Sequence, residues 1–148
     1  MSLESLYQQI ILDHNKRKVG FGLGDGGTPS HQYNPTCGDE LNLTVRLDTS
    51  GDIITGFEWE GKGCSISQAS ASLMAQEAAG MTVVEFAEFA EGFREAMRSR
   101  GTIQLDEEVY GDLAALSGVS KFVARVKCAM LAWVAAEDSL QMAKGDLA

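Results

Sequence analysis

Two alternating segments near the middle of the chain constrain its fold more than any other feature. Residues 41–47 alternate between apolar and polar side chains, and residues 53–60 follow after the turn-forming stretch 48–52. A period of two is typical of strands that are buried on one face, so we predict an antiparallel hairpin. Positions 41, 43, 45 and 47 then face the core, and Asp39 shares their face only if the strand extends back to it.

Helical patterns surround this hairpin. A capping box from Thr82 to Glu85 marks the start of one helix, and Gly80 ends the helix before it. Periodicity predicts helices over residues 2–16, 65–79, from 82 onward, within 102–117 and over 120–142. We therefore expect one domain, residues 1–148, with an α+β fold in which several helices pack on one side of a small antiparallel sheet and the C-terminal helix is long.

The last predicted helix has an apolar stripe. The stripe consists of large side chains at helical spacing: Phe122, Val123, Val126, Met130, Trp133 and Val134. On a helical wheel Cys128 lies opposite this stripe, so we expect it to point away from the main core contact of the helix. Arg125 and Lys121 lie on roughly the same side of the helix as Cys128.

Charge and composition exclude several classes of partner. The formal net charge is −9 and the basic residues form no long run, so nucleic acid and anionic membranes are poor partners, and a basic protein surface is a better one. No window approaches the roughly eighteen apolar residues of a membrane span, so we expect a soluble, cytoplasmic protein. In a reducing cytosol, three cysteines indicate metal binding, catalysis or buried structural thiols rather than a disulfide framework.

Three cysteines and one aspartate are the candidate functional residues. Cys37 and Asp39 follow a glycine-rich stretch, 17–36, that we expect to be a flexible loop, while Cys64 lies just before a predicted helix and Cys128 lies within another. Thiolates combined with a carboxylate suit zinc or iron-sulfur chemistry. The long separations differ from the paired cysteines of zinc fingers, so the fold has to bring these ligands together. The weakest ligand of such a site can leave, and the carboxylate is the natural candidate because it is the harder donor; a cysteine that left instead would be a nucleophile generated on demand.

Other signals are weaker. Residues 22–27 satisfy the pattern G-x-G-x-x-G, but they follow a helix rather than a strand, which does not favour a dinucleotide site. His14 and His31 have no metal-ligand spacing, so a surface or capping role is the better interpretation. The second cysteine and the upstream motif of zinc deaminases are absent around Cys37.

Several motifs together resemble one known family. They are Asn-Pro-Thr-Cys-Gly-Asp at 34–39, Gly-Lys-Gly-Cys-Ser-Ile-Ser-Gln-Ala-Ser at 61–70 and Val-Lys-Cys-Ala-Met-Leu-Ala-Trp at 126–133, with a similar start over 6–14. In this order they resemble the iron-sulfur cluster assembly proteins of the IscU/SufU type, which also include NifU N-terminal-like domains. The resemblance covers nearly the whole chain and implies a SufE/IscU-like fold.

Within this family the chain is more similar to the SufU branch. The IscU branch carries a histidine immediately before the third cysteine, and this chain has Lys127 there. Residues 118–122, with the acidic segment at about 101–118, resemble an insertion that SufU proteins have at this place. The resemblance therefore implies a zinc-dependent sulfurtransferase that acts as a sulfur carrier, whether or not it counts as an enzyme in its own right.

The SufU resemblance also implies roles for single residues. Zinc would be held by Cys37, Asp39, Cys64 and Cys128, and Cys37 would accept persulfide sulfur from a cysteine desulfurase of the SufS type after a histidine of that enzyme replaces it on the metal. Arg125 falls in the SufU pattern and would tune the site or form a salt bridge with Asp39. The sulfur would then pass to a downstream Suf assembly scaffold.

Two alternatives remain open at the level of sequence. The first is an IscU-type scaffold, on which iron and sulfide form a [2Fe-2S] cluster that is then transferred; it would have three thiolates and Asp39 as its only protein ligands, because Lys127 replaces the histidine. The second is a zinc ion whose only role is to stabilise the fold.

Overall fold

A computed structural model describes residues 3–24, 29–35 and 38–147. Cys37 and residues 25–28 of the predicted flexible loop lie outside the described residues. The elements, in chain order, are α1 (Leu3–Arg17), β1 (Ser30–Asn34), β2 (Asp39–Leu47), β3 (Ile54–Lys62), α2 (Ser65–Ala78), α3 (Val83–Arg98), α4 (Glu107–Tyr110), a 3₁₀ helix (Gly111–Lys121) and α5 (Val123–Leu147). Helices α2 and α5 pack against the sheet, which confirms the predicted α+β architecture.

The described residues form one three-stranded antiparallel sheet in the order β1-β2-β3. The predicted hairpin is β2 and β3, whereas β1 lies in the stretch that was predicted to be loop, and that part of the prediction is wrong. Ser30 pairs with Leu43 and Asn34 pairs with Asp39. The sequence Ser-His-Gln-Tyr-Asn has no apolar alternation, so its strand conformation comes from backbone pairing with β2 rather than from a local pattern.

Strand β2 extends back to Asp39, which decides the question that the sequence left open. Asp39 is 1% exposed and lies on the same face as the buried Leu41, Leu43 and Val45. Because side chains alternate along a strand, the carboxylate enters the protein interior together with these apolar residues. A buried carboxylate requires hydrogen bonds or a metal partner, so this end of β2 is a candidate functional site.

The capping box at the start of α3 is confirmed, whereas the region after α3 differs from prediction. Thr82 Oγ1 accepts a hydrogen bond from Glu85 N–H and Glu85 Oε1 accepts one from Thr82 N–H, both at 3.0 Å. Residues 102–117 were predicted to contain one short helix, but the one-turn helix α4 is followed by a long 3₁₀ helix. Buried Leu113, Leu116 and Val119 recur every third residue, which matches the three residues per turn of a 3₁₀ helix.

The predicted core stripe of the last helix is partly wrong. Phe122, Val123 and Val134 are 63%, 66% and 40% exposed, whereas Cys128 is 1% exposed. Helix α5 lies against β1, β2, α2, α3 and the 3₁₀ helix, so it is covered over a wide arc. That arc is lined mainly by small residues, Ala129, Ala132, Ala135, Ala136 and Ser139, which allow close packing.

Trp133 does lie in the core, as the sequence predicted. Its ring stacks on Phe93 with centroids 4.3 Å apart and on Phe86 at 5.9 Å. Buried aromatic rings of this size contribute strongly to core stability, so this cluster holds α5 against α3. None of the helices in the described ranges has the apolar run that a bilayer-spanning segment requires.

Candidate metal centre

Three of the predicted ligands come together although they lie on three different elements. Asp39 begins β2, Cys64 immediately precedes α2, and Cys128 lies in the second turn of α5. A carboxylate oxygen of Asp39 and the Sγ atoms of Cys64 and Cys128 all lie within 4.8 Å of one another. Asp39 and Cys128 are buried and Cys64 is partly exposed, so the cluster has one side toward solvent. The fourth predicted ligand, Cys37, lies outside the described residues.

Asp39 is oriented by the start of α2. Its Oδ1 accepts a hydrogen bond from Cys64 N–H at 2.8 Å, and its Oδ2 lies 3.5 Å from Cys64 Sγ. A charge-assisted hydrogen bond of this kind partly offsets the cost of burying the carboxylate. The second oxygen is therefore directed at the thiols.

Gly63 makes this arrangement sterically allowed. A Cβ atom at this position would overlap Asp39 Oδ1 and would lie 2.7 Å from Ser67 Oγ. The sequence predicted a second strand over residues 53–60, but β3 continues to Lys62, with Gly61 paired to Leu41. Gly63 is thus a site residue that sequence reasoning missed. The only local signal was a glycine directly before a cysteine at a helix start.

Cys64 occupies the N-cap position of α2. Its side chain makes no cap hydrogen bond, and its carbonyl oxygen accepts a hydrogen bond from Ser67 Oγ at 3.1 Å and one from Gln68 N–H at 3.2 Å. The sulfur is therefore not used to complete the helix. The unpaired N–H groups of the first turn favour negative charge at this end of α2, which suits a thiolate ligand.

Ser70 joins α2, which follows Cys64, to α5, which contains Cys128. Ser70 Oγ donates to the carbonyl oxygen of Ala129 at 2.7 Å and accepts from Trp133 Nε1 at 3.0 Å. Ser70 lies on α2, which follows Cys64, and Ala129 is adjacent to Cys128 on α5. These buried hydrogen bonds oppose sliding between the helices, so they help to hold Cys64 and Cys128 near each other. Sequence reasoning did not identify Ser70.

The three residues fit a tetrahedral zinc ion. With Zn–S bonds of about 2.3 Å, two sulfur ligands of one tetrahedron lie about 3.8 Å apart. The three donor atoms of this cluster lie within 4.8 Å of one another, and Asp39 Oδ2 lies 3.5 Å from Cys64 Sγ, so the cluster is close to the size of such a site. Two thiolates and a carboxylate are also a donor set that zinc accepts. The same thiolates suit an iron-sulfur cluster, so donor chemistry alone does not choose between the two.

Arg125 and Lys127 are both exposed, on the turns of α5 around Cys128. The ion pairs of the described residues include none between Arg125 and Asp39. Arg125 instead lines a surface groove beside the cluster. Its predicted tuning role remains a prediction.

The two histidines lie elsewhere. His31 Nε2 is 3.0 Å from Glu40 Oε1 on the surface. His14 is buried between α1 and α2, with Nδ1 2.7 Å from Ser72 Oγ. Burial lowers the pKa of His14 below its usual value and the charge of Arg17 lowers it further, whereas Asp13 and Asp112 raise it. His14 therefore contributes to the packing of α1 on α2 as a neutral imidazole.

Known proteins resemble this chain over nearly its whole length. The family model of the NifU-like N-terminal domain matches residues 6–129. The chain is 40% identical to the zinc-dependent sulfurtransferase SufU of Bacillus subtilis (strain 168), over 97% of this chain and 95% of that relative. It is 36% identical to the iron-sulfur cluster assembly scaffold protein IscU of Streptococcus pyogenes serotype M1, over 94% of this chain and 85% of that one. A solved structure from Fervidobacterium islandicum AW-1, of an iron-sulfur cluster assembly scaffold protein for the SUF system, is similar with a TM-score of 0.77 and 30% identity, covering 94% of this chain and 99% of that chain.

Proposed function

The chain belongs to the NifU-like N-terminal domain family, and from this membership we propose that it is a zinc-dependent sulfur carrier in iron-sulfur cluster assembly. In this proposal a cysteine desulfurase of the SufS type supplies the sulfur, Cys37 accepts it, and a downstream Suf assembly scaffold receives it in the cytoplasm. The observation that carries the proposal is the convergence of Asp39, Cys64 and Cys128. Two thiols and a carboxylate are a donor set that zinc binds.

The proposed zinc ligands are these three residues and Cys37. Bound zinc would keep its coordinating thiols deprotonated at neutral pH. Asp39 is held by the N–H of Cys64, and the thiols of Cys64 and Cys128 are held by helices that Ser70 locks together. These three residues are the proposed fixed part of the site, and Cys37 is the proposed reactive part.

Cys37 lies in the short connection between two paired strand ends. Asn34 pairs with Asp39, and Gly38 N–H donates to the carbonyl oxygen of Asn34 at 2.8 Å. Gly38 has a φ of 75°, in the left-handed region where glycine is favoured. Cys37 is therefore two positions along the chain from the buried Asp39, which supports the proposal that Cys37 acts at this cluster.

The proposed transfer exchanges one sulfur–sulfur bond for another. The Cys37 thiolate attacks the terminal sulfur of the desulfurase persulfide and a new S–S bond forms on Cys37. The S–S bond of the donor breaks, and its electron pair stays on the donor cysteine, which leaves as a thiolate. The step needs no external oxidant or reductant, because the persulfide sulfur only changes its bonding partner.

The test adds the purified protein to a SufS-type desulfurase with L-cysteine as substrate. We expect turnover to rise, and we expect the rise to disappear with Cys37→Ala while an exposed control on β3, Thr55→Ala, behaves as wild type. Mass spectrometry of the unreduced protein should place one additional sulfur atom on the peptide that contains Cys37. Full stimulation by Cys37→Ala would contradict the assigned acceptor role.

A cluster scaffold is the second candidate. The family relatives include proteins named as assembly scaffolds, and two thiolates near a carboxylate also suit a [2Fe-2S] cluster. Anaerobic reconstitution with iron and sulfide distinguishes the candidates. A stable cluster that moves to an apo-ferredoxin would favour the scaffold, and about one tightly bound zinc ion per chain after purification without oxygen would favour the carrier.

A further inference from the structure

A surface groove lies beside the metal centre. We call it the α1–α5 groove, because its walls come from α1, the first turn of α2, the 3₁₀ helix and the start of α5. Its volume is about 670 Å³. It is lined by Ser65, which follows Cys64, and by Arg125, which lies one helical turn before Cys128. A polypeptide segment bound in the groove would therefore lie next to two of the proposed ligands.

Large apolar side chains are exposed at this groove. Phe122, which lines it, is 63% exposed, and the adjacent Val123 is 66% exposed. Ile11, Ile66 and Val119 supply an apolar floor. An exposed aromatic side chain over an apolar floor is typical of a protein-binding surface, where such residues supply much of the binding energy.

The charge of the groove is opposite to that of the whole chain. Among the described residues that line it, the charged ones are Lys121 and Arg125, although the chain has a net charge of −9. Neither side chain takes part in an ion pair of the described residues. Glu107 accepts a hydrogen bond from Tyr7, which lines the groove, at 2.9 Å, but Glu107 is not itself a lining residue. The groove is therefore a local site for a partner with carboxylates.

The side chain of Lys121 is restricted before any partner binds. Gly101 has a φ of 87°, and a Cβ atom built on it would lie 2.6 Å from Lys121 Cγ. The aliphatic part of Lys121 thus lies close to Gly101, which restricts this groove-lining side chain. A restricted cation loses less conformational freedom when a partner binds.

We propose that the α1–α5 groove receives an extended segment of the sulfur-donating desulfurase, in which a large apolar side chain is flanked by carboxylates. The apolar side chain packs on Phe122 and the groove floor, and the carboxylates pair with Lys121 and Arg125. This inference rests on the proposed function, since it names the part of the partner that this chain recognises. It also assigns a role to the exposed start of α5, which core packing leaves unexplained.

The test measures desulfurase turnover against the concentration of this protein. Lys121→Glu places a carboxylate where the partner's carboxylates bind, so we expect its half-saturating concentration to rise about tenfold or more at low salt. Phe122→Ser should raise the half-saturating concentration about fivefold or more. For both variants the stimulation at saturation and the zinc content should equal those of wild type. Two control variants at exposed positions of α3 should leave the half-saturating concentration unchanged. Arg98→Glu reverses a charge as Lys121→Glu does, and Val84→Ser replaces an exposed apolar side chain as Phe122→Ser does.

The outcomes separate this inference from the function on which it rests. If wild type stimulates the desulfurase and both groove variants match wild type, the groove assignment is wrong and the carrier function stands. If wild type gives no stimulation, both are wrong. A photo-cross-linking amino acid at position 122 gives a second readout: we expect cross-links to a desulfurase peptide that contains Asp or Glu beside a large apolar residue. Cross-links to a peptide without acidic residues would overturn the charge argument.

Discussion

Gly63→Ala should disturb the metal centre by adding a single methyl group. The backbone of Gly63 is outside the left-handed region, so alanine can adopt its conformation. The added Cβ would overlap Asp39 Oδ1 and would lie 2.8 Å from Asp39 Cγ. Because Asp39 is buried and Ser67 Oγ lies on the other side, the carboxylate has to move away from its present position.

The expected size of the effect follows from the contacts that Asp39 makes. Moving its carboxylate weakens the 2.8 Å hydrogen bond from Cys64 N–H. Hydrogen bonds to charged groups contribute about 1.5–3 kcal/mol, so the metal-free protein should lose about that much free energy of unfolding. Zinc affinity should fall about 10–100-fold in addition, as it does when the orientation of a ligand is disturbed. That loss corresponds to about 1.4–2.7 kcal/mol of binding free energy.

Two measurements check these values. Urea unfolding of the metal-free protein gives the loss of stability, and competition with a chromophoric zinc chelator gives the loss of affinity. Gly56→Ala is the matched control, because a Cβ at this β3 position meets nothing within 4 Å. If Gly63→Ala bound zinc as tightly as Gly56→Ala does, the proposed placement of Asp39 on the metal would be refuted.

Three further predictions concern the protein around the site. The pKa of His14 is lowered in the folded protein, so as the pH falls through 6.5 the imidazole is protonated first in the unfolded chain. The free energy of unfolding should therefore decline below pH 6.5, by at most about 1.4 kcal/mol per pH unit, until the folded-state pKa is reached. Urea titrations over this range should show a weaker pH dependence for His14→Gln, and an equal dependence would count against the buried neutral imidazole. Thr82→Ala removes the N-cap of α3, so the free energy of unfolding measured by thermal unfolding should fall by about 1 kcal/mol. Thr82→Ser keeps the cap and should stay close to wild type. Trp133→Ala should lower the free energy of unfolding by about 3–5 kcal/mol, because it leaves a cavity beside the ring of Phe93. Trp133→Phe should lower it much less, and equal losses for both variants would contradict the stacked cluster.

Local patterns predicted the parts of the fold that depend on neighbouring residues. The capping box at Thr82 and the alternation over residues 41–47 each act within a few positions, and both agree with the structure. Strand β1 was missed because its residues show no alternation and are held by pairing with β2. The 3₁₀ helix was missed because its buried Leu113, Leu116 and Val119 recur every three residues rather than at α-helical spacing.

The last helix shows the limit of periodicity most clearly. Large side chains such as Phe122 and Val123 suggested one core face, whereas the packed surface of α5 is made mainly of alanines and includes Cys128. Large apolar side chains mark the buried face when a helix packs on one side only. Here the helix is enclosed by several elements, so small side chains that allow close approach are buried, and the large ones at its start remain exposed beside the groove.

The sequence by itself determined the donor chemistry, the family resemblance and the starts of α2 and α3, because these depend on residue type and on spacing over a few positions. Only the tertiary structure decided that Asp39 turns inward, that its oxygen and the thiols of Cys64 and Cys128 come within 4.8 Å, and that Gly63 leaves room for the carboxylate. The physical reason is that these three ligands lie on separate elements. Their distances are set by strand register and by the packing of α2 on α5, which no local pattern along the chain can encode.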